Sequence, residues 1–181
     1  MGTQVIEGSR VEVAAEPPKT AEPVKTKKLS LILFSGDFDR AVAAFTLASG
    51  AAAVNYEVNM FFTFWGLNLV KNRRGRRFNG KGPAARMFNW LQGGPDARPL
   101  SRLNFGGLSP WLMTRLMKKR NVATLQELVE ASRALGVGFY ACEMSMNILG
   151  ITAADFVDDI RGVIGVPKFL ELARDGETLF I

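Results

Sequence analysis

The sequence contains no histidine, and that absence removes Ser-His-Asp and Cys-His nucleophile pairs, histidine-ligated zinc and imidazole general-base chemistry together. It contains one cysteine, Cys142, so an intrachain disulfide, a CxxC redox pair and a four-thiolate metal site are excluded as well. No metal and no cofactor are therefore expected. Long hydrophobic runs are also missing. The most apolar stretch, residues 41–70, is broken by Gly50, Asn55, Glu57 and Asn59 and offers no clean run of about 20 apolar residues for a bilayer span. Acidic side chains are scarce in one place: residues 71–102 hold nine basic groups against Asp96 alone, a net of +8. The flanking segments 1–28, 29–70 and 103–181 come to +1, −2 and −1, so the overall charge of +6 is a local patch.

What is present fits one domain. In 181 residues with 48% apolar side chains and a mean hydropathy of +0.07, there is enough hydrophobic surface for a single core. The first 28 residues, with Pro17, Pro18 and Pro23 among alternating Glu and Lys, lack aromatics and read as a flexible tail. They show neither a secretory nor a myristoylation pattern. With a single free thiol, this makes a reducing cytoplasmic compartment the expectation.

From residue 29 the pattern turns α/β. Leu29–Phe34 is an apolar run ending at Ser35-Gly36-Asp37, as a buried strand entering a tight turn does. An Ala-rich helix over 38–54, capped by Ser35 or Asp37, and a second buried strand over 56–64 complete a βαβ start. Residues 71–107 are rich in glycine and proline and read as a long basic loop with a short helix around 84–91. Ser109-Pro110 opens a helix to about Arg120, and Thr124 with Glu127 has capping-box spacing for a helix stopped by Gly136. Residues 137–142 read as a strand followed by a short helix. Thr152 with Asp155 forms another cap, Pro167 starts a helix to about Arg174, and 178–181 closes as a strand.

In an open parallel sheet, ligands gather at the carboxyl ends of strands, and Cys142 falls at such an end. A helix starting near Met144 or Ser145 would aim its amides at the sulfur and favour the thiolate, while Glu143 would oppose this. The competing reading is an inert cysteine buried at a strand end.

The segment Gly136-Val137-Gly138-Phe139-Tyr140-Ala141-Cys142-Glu143-Met144-Ser145-Met146-Asn147-Ile148-Leu149-Gly150 resembles the cysteine segment of the DsrE/DsrF/DsrH-like sulfur-relay family. Its branch is the DsrE-like one sometimes labelled "peroxiredoxin family". Leu29–Phe34 with Ser35-Gly36-Asp37, the Met-rich stretch 111–119, residues 121–136 and Gly162–Pro167 through Ile181 follow the same pattern. The resemblance covers about 29–70 and 108–181, so the basic stretch 71–107 and the tail read as additions to a core at 29–181. It implies a three-layer α/β/α sandwich with a mainly parallel five-stranded sheet, assembled as a homodimer, trimer or hexamer. It also implies that Cys142 accepts sulfur as a persulfide and passes it to a partner thiol on a carrier of TusA or rhodanese type. Peroxidase activity is not expected, because Cys142 has neither a resolving thiol nor a Pro-x-x-x-Thr/Ser-x-x-Cys cradle.

Ser35, Gly36, Asp37, Met113, Glu143, Met144 and Ser145 are the candidate pocket neighbours, although Asp37 also suits a capping role and the methionines suit core packing. Lys71, Arg73, Arg74, Arg76 and Arg77 are candidates for an anionic partner. The rival to sulfur transfer is a non-catalytic oligomeric binding module that presents this patch to an acidic protein, an anionic membrane surface or, less favoured, nucleic acid.

Overall fold

A computed structural model describes residues 27–72, 108–156 and 159–181. In chain order the elements are β1 (Lys28–Leu33), α1 (Phe38–Ala53), β2 (Glu57–Phe62), α2 (Leu108–Lys119), α3 (Leu125–Ala134), β3 (Gly138–Cys142), α4 (Glu143–Leu149), β4 (Gly162–Ile164), α5 (Val166–Ala173) and β5 (Glu177–Phe180). Single 3-10 stretches cover Phe64–Leu69 and Ala153–Asp155. The expected tail, the short helix at 84–91 and most of the basic loop lie outside the described residues.

The five strands form one sheet in the order β4-β3-β2-β1-β5, every pair parallel. Period-two alternation divides its side chains into two faces. Leu29, Leu31, Leu33, Val58, Met60, Phe62, Phe139 and Ala141 point to one face and join Phe45 of α1, Leu125 of α3 and Met146 of α4 in the main core. The Phe45 ring meets those of Phe62 and Phe139 at 6.2 and 5.8 Å. The opposite face presents Phe61 and Cys142, with Ile32, Tyr140 and Ile164 partly buried beside them, and is covered by Phe169 and Ala173 of α5. The result is the expected α/β/α sandwich, in which the second helical layer seen among the described residues is a single eight-residue helix.

Local chemistry explains most boundaries. Thr124 caps α3 through a reciprocal box: its hydroxyl accepts from the Glu127 amide, and the Glu127 carboxylate accepts from the Thr124 amide at 2.7 Å. That backbone hydrogen bond holds the Glu127 carboxyl below the usual carboxylate range. After α3 the chain turns at Gly136 with φ +77°, a left-handed conformation that costs glycine little. Asp37 stands at the N-cap of α1 as expected, but its side chain makes no cap hydrogen bond. Instead the Asp37 amide donates to the Ser35 hydroxyl at 3.0 Å.

The apolar stretch 41–70 is distributed over α1, β2 and the 3-10 turn after it. Among the described residues no helix is long and apolar enough to cross a membrane. Close packing at the carboxyl edge requires glycine at two positions. A Cβ on Gly36 would lie 2.8 Å from the Trp65 carbonyl, and one on Gly66 would collide with the Leu33 carbonyl.

Candidate functional site around Cys142

The chain order makes the β3–β4 boundary chemically distinctive. The connection leaving β3 enters α4, whose Met146 packs in the main core, whereas the connection leaving β4 enters α5, which packs on the opposite face. Adjacent strands whose connections leave to opposite faces define a topological switch point, where open parallel sheets form their ligand crevice. Cys142 is the last residue of β3 and lies in register with Ile164, the last of β4. The cysteine is thus placed at the switch point by topology alone.

The immediate surroundings of the sulfur differ from the sequence expectation. Helix α4 starts at Glu143, so Cys142 itself is the N-cap, and its side chain makes no capping hydrogen bond to the first-turn amides. Cys142 is 1% exposed. It packs with Phe61, Phe169 and Ala173, and the Phe61 and Phe169 rings stack at 4.6 Å and 14°. Burial follows from the period-two pattern of β3, which turns Cys142 toward the face that α5 covers. Glu143 is exposed, so its carboxylate remains in water.

The other candidates divide. Ser145 is fully buried, and its hydroxyl shares a hydrogen bond with that of Thr63 at 2.8 Å, tying α4 to the segment that follows β2. Ser35, Gly36 and Asp37 sit at the same sheet edge but after β1, two strands from β3, which is about 10 Å at ordinary strand spacing. Met144 is exposed on α4, and Met113 is exposed on α2, so neither stands in the cluster around the sulfur. Met117 is the methionine of α2 that joins the main core.

Lys71 does not belong to a solvated anion-binding patch, because it is 2% exposed and bridges Phe156 in antiparallel fashion. Burial pushes its ammonium down to about 8, with nearby Asp155 acting in the opposite sense. Next to it, Asn72 donates to the carbonyls of Ala154 and Phe156 at 2.9 and 2.7 Å, which fixes this corner. Arg73, Arg74, Arg76 and Arg77 lie outside the described residues.

Sequence reasoning passed over Phe61, Phe169 and Thr63. Pro167 at the start of α5, with Phe169 and Ala173 four apart, was the available signal for a helix with one buried stripe. No sequence signal pairs Thr63 with Ser145. Among the described residues no group of three metal-ligating side chains comes together.

A five-stranded parallel α/β/α sandwich with a lone cysteine at its switch point defines the class of protein. The DsrE/DsrF/DrsH-like family matches residues 25–181, and the chain belongs to that family. The matched interval runs through the basic stretch 71–107. The chain is 40% identical over 159 residues to the uncharacterized protein YrkE of Bacillus subtilis, spanning 87% of this chain and 98% of that one. It is 32% identical over 155 residues to the sulfur carrier protein DsrE2 of Allochromatium vinosum, spanning 85% and 97%. Among solved structures it is similar to the protein of unknown function MTH1491 from Methanobacterium thermoautotrophicum. That similarity has a TM-score of 0.47 and 11% identity, over 86% of this chain and 99% of that one.

Proposed function

We propose that this protein is a sulfur carrier that holds a persulfide on Cys142 and delivers it to a partner thiol. The observation that carries the reading is the position of the chain's single thiol at the β3–β4 switch point, and family membership together with the sulfur-carrier relative supports it. The chemistry balances without an oxidant. The Cys142 thiolate attacks the outer sulfur of a donor persulfide and forms a new S–S bond as the donor thiolate leaves. An acceptor thiolate then attacks the outer sulfur of the Cys142 persulfide and releases Cys142 as a thiolate.

Because the sulfur is buried beneath Phe169, each transfer requires α5 to move, so the cover protects a loaded persulfide between donor and acceptor. The partners that suit this exchange are small thiol proteins of TusA or rhodanese type in a reducing cytoplasm. A homo-oligomer, as dimer, trimer or hexamer, is supported by apolar side chains left bare on the edge strand and on α5: Leu179 and Phe180 of β5 and Val166 and Leu170 of α5 are exposed, and Phe180 stacks on Phe34 at 5.9 Å.

The test is intact mass after incubation with a persulfide donor. Wild type should gain about 32 Da per transferred sulfur, the gain should vanish on adding an acceptor thiol, and Cys142→Ser should gain nothing. A wild type that never gains mass, or a Cys142→Ser protein that gains equally, refutes the reading and leaves the binding module.

A further inference from the structure

Over Trp111 to Lys119, helix α2 stands apart from the other described helices in how little of it is buried. From Trp111 to Arg120 Met117 alone is buried, while Trp111, Leu112 and Leu116 are 57, 50 and 45% exposed. A helix usually turns its large apolar side chains inward, and here they point to solvent between cations. Arg115 lies over the Trp111 ring at 5.5 Å, Lys118 and Lys119 stand on the last turn, and Arg120 follows just past the helix end. No Asp or Glu occurs from Ala97 to Gln126, so the helix carries no acidic side chain of its own; Glu127, in the first turn of α3, lies within electrostatic reach of Lys118.

We infer that α2 is a membrane-surface helix that docks the protein on anionic phospholipid. Trp and Leu side chains combined with Lys and Arg, and no acidic group, give the composition of a helix lying in a bilayer interface. The apolar side chains enter the acyl boundary, and the cations meet lipid phosphates, with the lysine stems reaching along the apolar surface. The shape favours lipid over an acidic protein. Between Trp111 and Lys119 the helix turns most of its side chains to solvent, which suits a deformable plane, and the cations supply the charge complementarity such a plane needs. The helix rests on the membrane without spanning it. This inference is independent of the chemistry at Cys142.

The test is co-sedimentation of the full chain with vesicles of phosphatidylcholine alone or with about a third phosphatidylglycerol. Binding is expected on the anionic vesicles only and should decline as salt is added. Lys118→Gln with Lys119→Gln should weaken partitioning about 30-fold, from about 1 kcal/mol per cation. Leu112→Ser with Leu116→Ser should remove binding, and the tryptophan blue shift on binding should disappear in Trp111→Phe. All of these positions are exposed, so the variants keep the fold, which circular dichroism checks. Equal binding to neutral vesicles, or binding untouched by either double variant, overturns the inference. So does retention on immobilised polyglutamate without any vesicle binding, which assigns α2 to an acidic protein partner.

Discussion

Replacing Phe169 with leucine should make Cys142 react faster with an alkylating agent while the protein stays folded. In the native chain the sulfur is 1% exposed under α5, and α5 is held over it by Phe169 and Ala173. Lifting the helix re-exposes the Phe169 side chain, about 2–3 kcal/mol, and separates it from Phe61, about another 1 kcal/mol. An opening free energy of about 3–4 kcal/mol slows alkylation roughly 100- to 1000-fold relative to an unprotected thiol. Leucine keeps most of the apolar burial but loses the ring stack, so the opening becomes easier by about 1 kcal/mol and the rate rises about fivefold. The assay is pseudo-first-order labelling by iodoacetamide, read by mass spectrometry in zero to moderate urea. Local opening exposes little surface, so the logarithm of the rate should stay nearly flat at low urea. Global unfolding would instead impose a slope of about 1–3 kcal/mol per molar urea. A wild-type thiol that labels as fast as free cysteine, or a rate that follows the full unfolding slope from zero urea, refutes the idea that α5 is the cover.

Ser145→Ala should cost about 1–3 kcal/mol in urea denaturation, because it leaves the buried Thr63 hydroxyl without its partner. Adding Thr63→Val should recover much of the loss, and a double-mutant cycle with no coupling would count against the bridge. Gly66→Ala should lower the melting temperature sharply or prevent folding, since its Cβ collides with the Leu33 backbone carbonyl; a melting curve like wild type would show that this edge is looser than described. Stability should rise with alkaline pH through Lys71, which is desolvated in the fold and binds its proton more weakly there than in the unfolded chain. Between about 8 and 10.5 the unfolded state holds the proton and the folded state does not, so unfolding free energy should climb by about 3 kcal/mol over that window. Below about 8 both states are protonated and the contribution is flat; Lys71→Met should abolish the rise, as denaturation at pH 7.5 and 10 would show.

Much of this fold is legible in the chain because its signals are local. Leu29–Phe34 and residues 137–142 are short apolar runs bounded by Gly and Asp, and they became β1 and β3 with shifts of one residue at their ends. Thr124 with Glu127, and Thr152 with Asp155, formed the hydrogen bonds that their spacing promised. Cys142 was placed correctly at a strand end by the same kind of evidence. Its exposure was left open between a reachable thiolate and a buried thiol, because whether a strand-end side chain faces solvent depends on which helix later returns across the sheet. Lys71 was misread for the same reason: a cation beside four arginine residues looks solvated until Phe156, 85 residues further on, pairs with its backbone.

Sequence alone therefore determined the alternation of strand and helix, the caps, the single thiol and the excess of positive charge, all of which follow from side chains within a few residues of one another. Tertiary structure decided the rest. The strand order sends the connections after β3 and β4 to opposite faces and sets Cys142 between them, and α5 then closes over the sulfur through Phe169. These are contacts across long stretches of chain, and no local pattern encodes them because the free energy that selects them arises only when distant apolar surfaces leave water together.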